Sequence, residues 1–300
     1  GYMTVVSSPF CMENQNCGSG EKMQKKIAVI NDIAGYGRCA MTVILPILSY
    51  MGVQGCPLPT SIFSNNTAFP NFFMDDYTDR MEAYIENWDK IGLKFEGIAT
   101  GYLGSVRQID IVKRFIRDFS KEDTLVIVDP VMGDHGRLYS AYTVELCKEL
   151  GKLVALADII TPNLTEACHL TDMPYKAQGW KRKELYAMAQ ELACMGPSRV
   201  VITGIPQGEF IANFVYVKEP KTDVRSGFIR IHKAGAERCG TGDVFASIIA
   251  ADAVKGVPFD RSVRKASGFV KKCIIASLEL QTPPTDGVPF EEILYQLKRD

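Results

Sequence analysis

Cys239-Gly240-Thr241-Gly242-Asp243 sets two glycines and an acid at the head of an apolar run, Val244 to Val254. The run reads as a buried helix. Glycines just ahead of a helix let the backbone turn tightly, so that several N–H groups converge on one spot. That spot sees the positive end of the helix dipole and suits an anion such as a phosphoryl group. Asp243, in the first turn, is placed to take a proton from a hydroxyl attacking that group. The plainer alternative is a helix start with Thr241 as cap and Asp243 as dipole partner. In either case a carboxylate at a helix N-terminus is expected to stay ionised, a weak base at rest. A second acidic pair, Asp129 and Asp134, lies five residues apart in a Gly-rich loop after the apolar run Thr124–Val128. Such a pair suits Mg²⁺ and nucleotide phosphates, because a hard cation takes oxygen ligands and magnesium keeps several of its waters. Asn163 and Glu166 follow Thr161-Pro162 with the spacing of a capping box at another helix start. Cys239, beside the anion seat, could add to an aldehyde as a thiolate or could be an ordinary small buried side chain.

These groups need a scaffold, and the chain supplies an alternation of strand and helix patterns from residue 26 to about 203. That pattern predicts a mostly parallel sheet with helices on both faces. Strands are expected at Lys26–Asp32, 53–63, Glu96–Thr100, Thr124–Val128, 157–161 and up to Thr203, with Thr203 at a strand end. Glu209–Val217 and Phe228–His232 read as antiparallel additions. Helices are expected at 76–91, Asp260–Ser277 and Glu291–Lys298. Gly35-Tyr-Gly-Arg-Cys-Ala40 after the first strand matches GxGxxA, which raises a dinucleotide-binding oxidoreductase as a remote alternative. The acid that should end the second strand and hold the ribose is missing from Val53–Phe63.

The 300 residues carry a net charge of −1 and 46% apolar content, ordinary for a globular chain. No basic tract points to nucleic acid, and no apolar run reaches the roughly 20 residues that span a bilayer. Nine cysteines and three histidines are scattered without zinc-ligand spacing, which fits free thiols in a cytoplasmic setting. Residues 1–22 lack a secretory pattern and read as a non-catalytic extension, the leading glycine as a cloning remnant, ahead of one domain at 23–300.

Taken in order, Asp32, Phe63-Ser-Asn-Asn-Thr67, Thr100-Gly-Tyr102, DPVMGDxGxLY (129–139), Thr161-Pro-Asn-x-x-Glu166 and Gly240-Thr-Gly-Asp243 resemble the motifs of the pyridoxal kinases within the ribokinase-like superfamily. The resemblance covers about residues 26–280. It implies a ribokinase-like three-layer α/β/α sandwich with a mostly parallel central sheet, antiparallel edge strands and no hairpin lid. It implies ATP-dependent phosphorylation of the 5′-hydroxymethyl group of pyridoxal, pyridoxamine or pyridoxine, with Asp243 as base and Gly240, Thr241 and Gly242 around the moving phosphoryl. On this likeness Asp32, Asn66, Thr67 and Tyr102 would line the vitamer, with Cys239 adjoining. Asp134, Tyr139, Asn163, Thr203 and Thr241 would meet the nucleotide, and Asp129, Asp134 and Glu166 would serve Mg²⁺. K⁺ is a candidate activating ion and a homodimer the expected assembly. Asp32 stands where better-known members carry serine and Asn66 where many carry histidine, so vitamer preference stays open. Hydroxymethylpyrimidine kinases share DPVM but generally lack the following Gly-Asp, which makes them the alternative.

Overall fold

Alternating side chains along the first strand, β1 (Lys26–Ala34), feed two separate cores: Ala28 and Ile30 pack on one face, Ile27 and Val29 on the other. That period of two explains why the strand reads as a continuous apolar run. The computed structural model describes residues 24–140, 142–218, 224–236 and 238–297, so the extension at 1–22 lies outside the described residues. After β1 come α1 (Met41–Tyr50), β2 (Gln54–Phe63), β3 (Met74–Asp76), α2 (Thr78–Lys90), β4 (Gly97–Thr100), α3 (Val106–Phe119) and β5 (Leu125–Val128). Then follow β6 (Gly133–Asp134), β7 (Arg137–Leu138), α4 (Val144–Val154), β8 (Ile159–Ile160), α5 (Leu164–Leu170), α6 (Arg182–Met195) and β9 (Arg199–Gln207). The chain continues through β10 (Phe210–Val217), β11 (Arg225–His232), α7 (Thr241–Val254) and α8 (Phe259–Glu279).

The main sheet has nine strands in the order β11-β10-β9-β8-β5-β4-β1-β2-β3. Pairing is parallel from β2 through β9, while β3 at one edge and β10 and β11 at the other run antiparallel. Parallel neighbours require crossovers, and the helices that make them cover both faces. One core includes Phe115 of α3, Leu146 of α4 and Leu185 of α6; the other includes Ile47 of α1, Ile248 of α7 and Phe269 of α8. This is the α/β/α sandwich of the ribokinase-like kinases. Between β1 and β2 there is only a turn and α1, with no hairpin lid. α7 is buried on nearly every side, which is why its sequence lacks a polar stripe.

Two local expectations are corrected. Residues 290–296 form a 3₁₀ helix, Phe290–Gln296, after a shorter one at Pro284–Asp286; Lys298 lies outside the described residues. Thr203 sits within β9, beyond the two residues paired in parallel with β8 and at the irregularity in the antiparallel β9–β10 ladder. The short edge strand β3 and the β6–β7 ribbon carry too few residues to show a periodicity in the sequence.

Candidate active site

Gly240 precedes α7 in the left-handed region, φ 81°. A Cβ there would lie 2.1 Å from the Arg38 carbonyl oxygen, so both conformation and space demand glycine. Thr241 is therefore the first helical residue and not the cap, and its hydroxyl donates to the Arg238 carbonyl at 3.1 Å. Two residues on, Asp243 Oδ2 accepts the Ala40 N–H at 2.8 Å. Ala40 holds that N–H in place from φ 50°, ψ −135°, a strained backbone for an L residue. Burial pushes the Asp243 carboxyl up to about 6, with the Ala40 N–H pulling the other way. Asp243 is thus a stronger base than an exposed aspartate and is still ionised at neutral pH.

Other carboxylates crowd the same region. Burial, then the charge of Asp243, pushes Asp32 up to about 7. The same two causes push Asp129 up to about 7, while the Thr161 hydroxyl donates to its Oδ1 at 3.2 Å. Glu166 is pushed well up by burial and then by Asp129, against N–H donors from Asn163 at 2.8 Å and Met132 at 3.2 Å. No lysine or arginine figures among the groups that set these shifts. Acids gathered without a cationic side chain form an oxygen donor set that fits a divalent cation. Among the described residues no three His, Cys, Asp or Glu side chains stand close enough to cage a metal.

Asn163 caps α5 and forms the full box with Glu166, and its Nδ2 also donates to the Gly133 carbonyl at 2.8 Å. Capping and proximity to the acids coexist. Asp134 opens the β6–β7 turn, whose central residues His135 and Gly136 both have positive φ. The Gly136 N–H donates to Thr165 at 2.8 Å, tying that turn to the start of α5. Tyr139 is 48% exposed, and its hydroxyl is pushed up by burial and by Glu166, so it stays a neutral donor. Thr203 bridges to Asn163 through the backbone.

On the other side of Asp243, Tyr102 packs edge-on against Phe63 and Tyr142 and feels the charge of Asp32. Asn31, missed by sequence reasoning, joins the two: its Oδ1 accepts N–H groups from Asp32 at 2.9 Å and Tyr102 at 2.8 Å. Its place beside Asp32 at a strand end was the available signal. Thr67 is exposed on the loop after β2. Asn66 is buried: its Nδ2 donates to the Thr285 carbonyl at 2.7 Å and its Oδ1 accepts from the Ala68 N–H at 3.0 Å, so its amide braces the loop after β2. Sequence reasoning also missed the clamp on the 35–40 turn, where Arg38 pairs with Glu291 at 2.8 Å and Tyr36 donates to Asp286 at 2.9 Å. No local pattern links residues that far apart. The last N–H of the GxGxxA turn, that of Ala40, is bound to Asp243.

Cys39, also missed, interacts with Cys239: the Cys39 thiol is pushed up and the Cys239 thiol drawn down by their interaction.

The phosphomethylpyrimidine kinase family model matches residues 45–285. A pyridoxal kinase of Arabidopsis thaliana is 32% identical over 208 residues, which are 67% of this chain and 65% of that protein. A pyridoxine/pyridoxal/pyridoxamine kinase of Bordetella avium is 26% identical over 287 residues, 92% of this chain and 95% of its own. A Bacteroides thetaiotaomicron protein assigned as a phosphomethylpyrimidine kinase, crystallised with pyridoxal, superposes with a TM-score of 0.87 at 39% identity, covering 92% of this chain and 96% of that one.

Proposed function

The chain belongs to the phosphomethylpyrimidine kinase family, and from that membership we propose that it transfers the γ-phosphoryl group of ATP to the 5′-hydroxymethyl group of pyridoxal, pyridoxamine or pyridoxine. It is an ATP-dependent phosphotransferase of the pyridoxal kinase type. The observation that carries the reading is Asp243: a carboxylate in the first turn of α7, poised near 6 and aimed by the Ala40 N–H. A base so tuned is ionised at neutral pH yet accepts the proton as the vitamer hydroxyl becomes acidic during attack. First-turn N–H groups over residues 240–242 have no partners within the helix and would stabilise charge spreading over the moving phosphoryl. Asp32 and Tyr102 would hold the ring. Asp134, Tyr139, Asn163, Thr203 and Thr241 would meet the nucleotide.

Asp129, Asp134, Asn163 and Glu166 would hold the waters of Mg²⁺, which when bound offsets the charge of the nucleotide phosphates. The same reading takes K⁺ as an activating ion and the enzyme as a cytoplasmic homodimer of a single 23–300 domain; sedimentation with and without K⁺ tests the assembly. No helix among the described residues is long and apolar enough to cross a membrane.

Hydroxymethylpyrimidine phosphorylation is the second reading, favoured by the description of the matching family model. A coupled ADP-release assay across pyridoxal, pyridoxamine, pyridoxine and hydroxymethylpyrimidine separates the two. Turnover should be fastest on a B6 vitamer. A clear preference for hydroxymethylpyrimidine would transfer the assignment to thiamine synthesis.

A further inference from the structure

One segment after α8, residues 282–291, reaches both sides of the site around Asp243. On the side of the 35–40 turn, the Arg38 backbone N–H donates to the Asp286 carbonyl at 3.0 Å, and the guanidinium Nη1 reaches the same oxygen at 3.4 Å. Arg38 Nε donates to both carboxylate oxygens of Glu291 at 2.8 Å. On the other side, Arg238, two residues before Gly240, donates through Nη1 to the Thr282 carbonyl. The segment is itself anchored, because Val288 and Phe290 are buried in the core that holds α7 and α8. The Arg38 carbonyl oxygen is closely enclosed. An added Cβ would lie 2.1 Å from it at Gly240 and 2.7 Å from it at Gly287.

Two residues beyond Arg38, Ala40 sits at φ 50°, ψ −135° and gives its N–H to Asp243 Oδ2 at 2.8 Å. Such a backbone costs free energy in an L residue and persists only where its neighbours fix it. On the C-terminal side the first turn of α1 does so: the Val43 and Ile44 N–H groups donate to the Ala40 carbonyl at 3.1 and 3.0 Å. On the N-terminal side the anchor is Arg38. We propose that Arg38 and Glu291 are positioning residues for the base. Their pair holds the 35–40 turn against the 282–291 segment, keeps Ala40 in its strained conformation and so fixes Asp243 by Oδ2, leaving Oδ1 to meet the vitamer hydroxyl. The two side chains are 33% and 52% exposed, and an ion pair that open adds little to stability. Its loss is therefore expected in the geometry of the base and not in the melting of the fold. The effect on turnover rests on Asp243 being the base.

Arg38→Ala and Glu291→Ala should each lower kcat on pyridoxal by about 10- to 100-fold, the loss that a small misplacement of a reacting group brings. KM for pyridoxal and ATP should be nearly unchanged, and melting temperatures should stay near wild type, a split that a merely structural role would not give. Because both residues act through one pair, the double variant should be no slower than the slower single one, whereas independent roles would multiply. Arg117→Ala removes an exposed arginine paired with Asp118 in the other helical layer and should leave kcat unchanged. A crystal structure of Arg38→Ala should show Ala40 out of positive φ and its N–H off Asp243, a readout that needs no activity. Full kcat in either single variant, multiplied losses in the double, an equal loss in Arg117→Ala, or an Ala40 that stays in place overturns the inference. If instead Asp243→Asn retains turnover, the base assignment is what fails, and a released Ala40 in the Arg38→Ala crystal tells that failure from this one.

Discussion

At Asp243, burial and catalysis act on the same atoms. Desolvation pushes its carboxyl up to about 6, so the base form dominates only above that pH. kcat/KM should therefore climb through pH 6 and level off near neutrality, as a pH–rate profile will check. Asp243→Asn should abolish that limb and lower kcat by about 10²–10⁴-fold while ATP affinity, measured by calorimetry, stays nearly constant. The neighbouring thiols divide their roles in a comparable way. The interaction of the pair pushes Cys39 up and draws Cys239 down, so Cys239 is the readier thiolate. Limiting iodoacetamide followed by peptide mass spectrometry should find Cys239 alkylated ahead of Cys39, and the reverse order would contradict this division. Asn66 shows how a motif residue can hold the frame. Its amide joins the loop after β2 to the backbone of Thr285.

The α7 start is an element whose two glycines have different reasons to be there. Gly240 combines φ 81° with a carbonyl oxygen 2.1 Å from where a Cβ would sit, whereas nothing lies within 4 Å of a Cβ on Gly242. Gly240→Ala should thus destabilise the fold by more than about 1 kcal/mol in urea titration. Gly242→Ala should leave stability intact and alter only turnover, because its backbone borders the phosphoryl seat. Equal melting of the two variants would refute this division. The capping box of α5 was readable from Asn163 and Glu166 alone, since a cap needs only residues three apart. The β6–β7 ribbon was not, because two residues per strand leave no pattern to detect.

For the molecule as a whole, the buried acids proposed to serve the reaction oppose the fold. Asp32 and Asp243 have folded pKa values raised above the ordinary 3.8, to about 7 and about 6. The folded state therefore binds their protons more tightly than the unfolded chain does, so their contribution to stability is full below about pH 4. It is lost as pH rises through 6 and 7, the range in which activity should appear. The ligand-free enzyme is expected to melt about 2–4 °C lower at pH 8 than at pH 5. Asp32→Asn should raise the melting temperature more at pH 8 than at pH 5, and scanning calorimetry at the two pH values reads both. A melting temperature that rose with pH would mean that these carboxylates are not held as described.

The amino-acid order alone settled whatever depends on near neighbours. Short apolar runs placed β1 and β9, turn and cap chemistry located the α7 and α5 starts, and the run from Val244 to Val254 marked a helix with no wet face. Ordered motifs pointed to the ribokinase-like sandwich and to Asp243. Three-dimensional packing settled what depends on distant segments. The Ala40 to Asp243 hydrogen bond spans 203 residues and the Arg38 to Glu291 pair 253, and no window of sequence contains either. The protonation of Asp243 also belongs to this second group. Desolvation is a property of everything packed around a carboxylate, and only the folded chain brings β1, β5, α1 and α7 to that point.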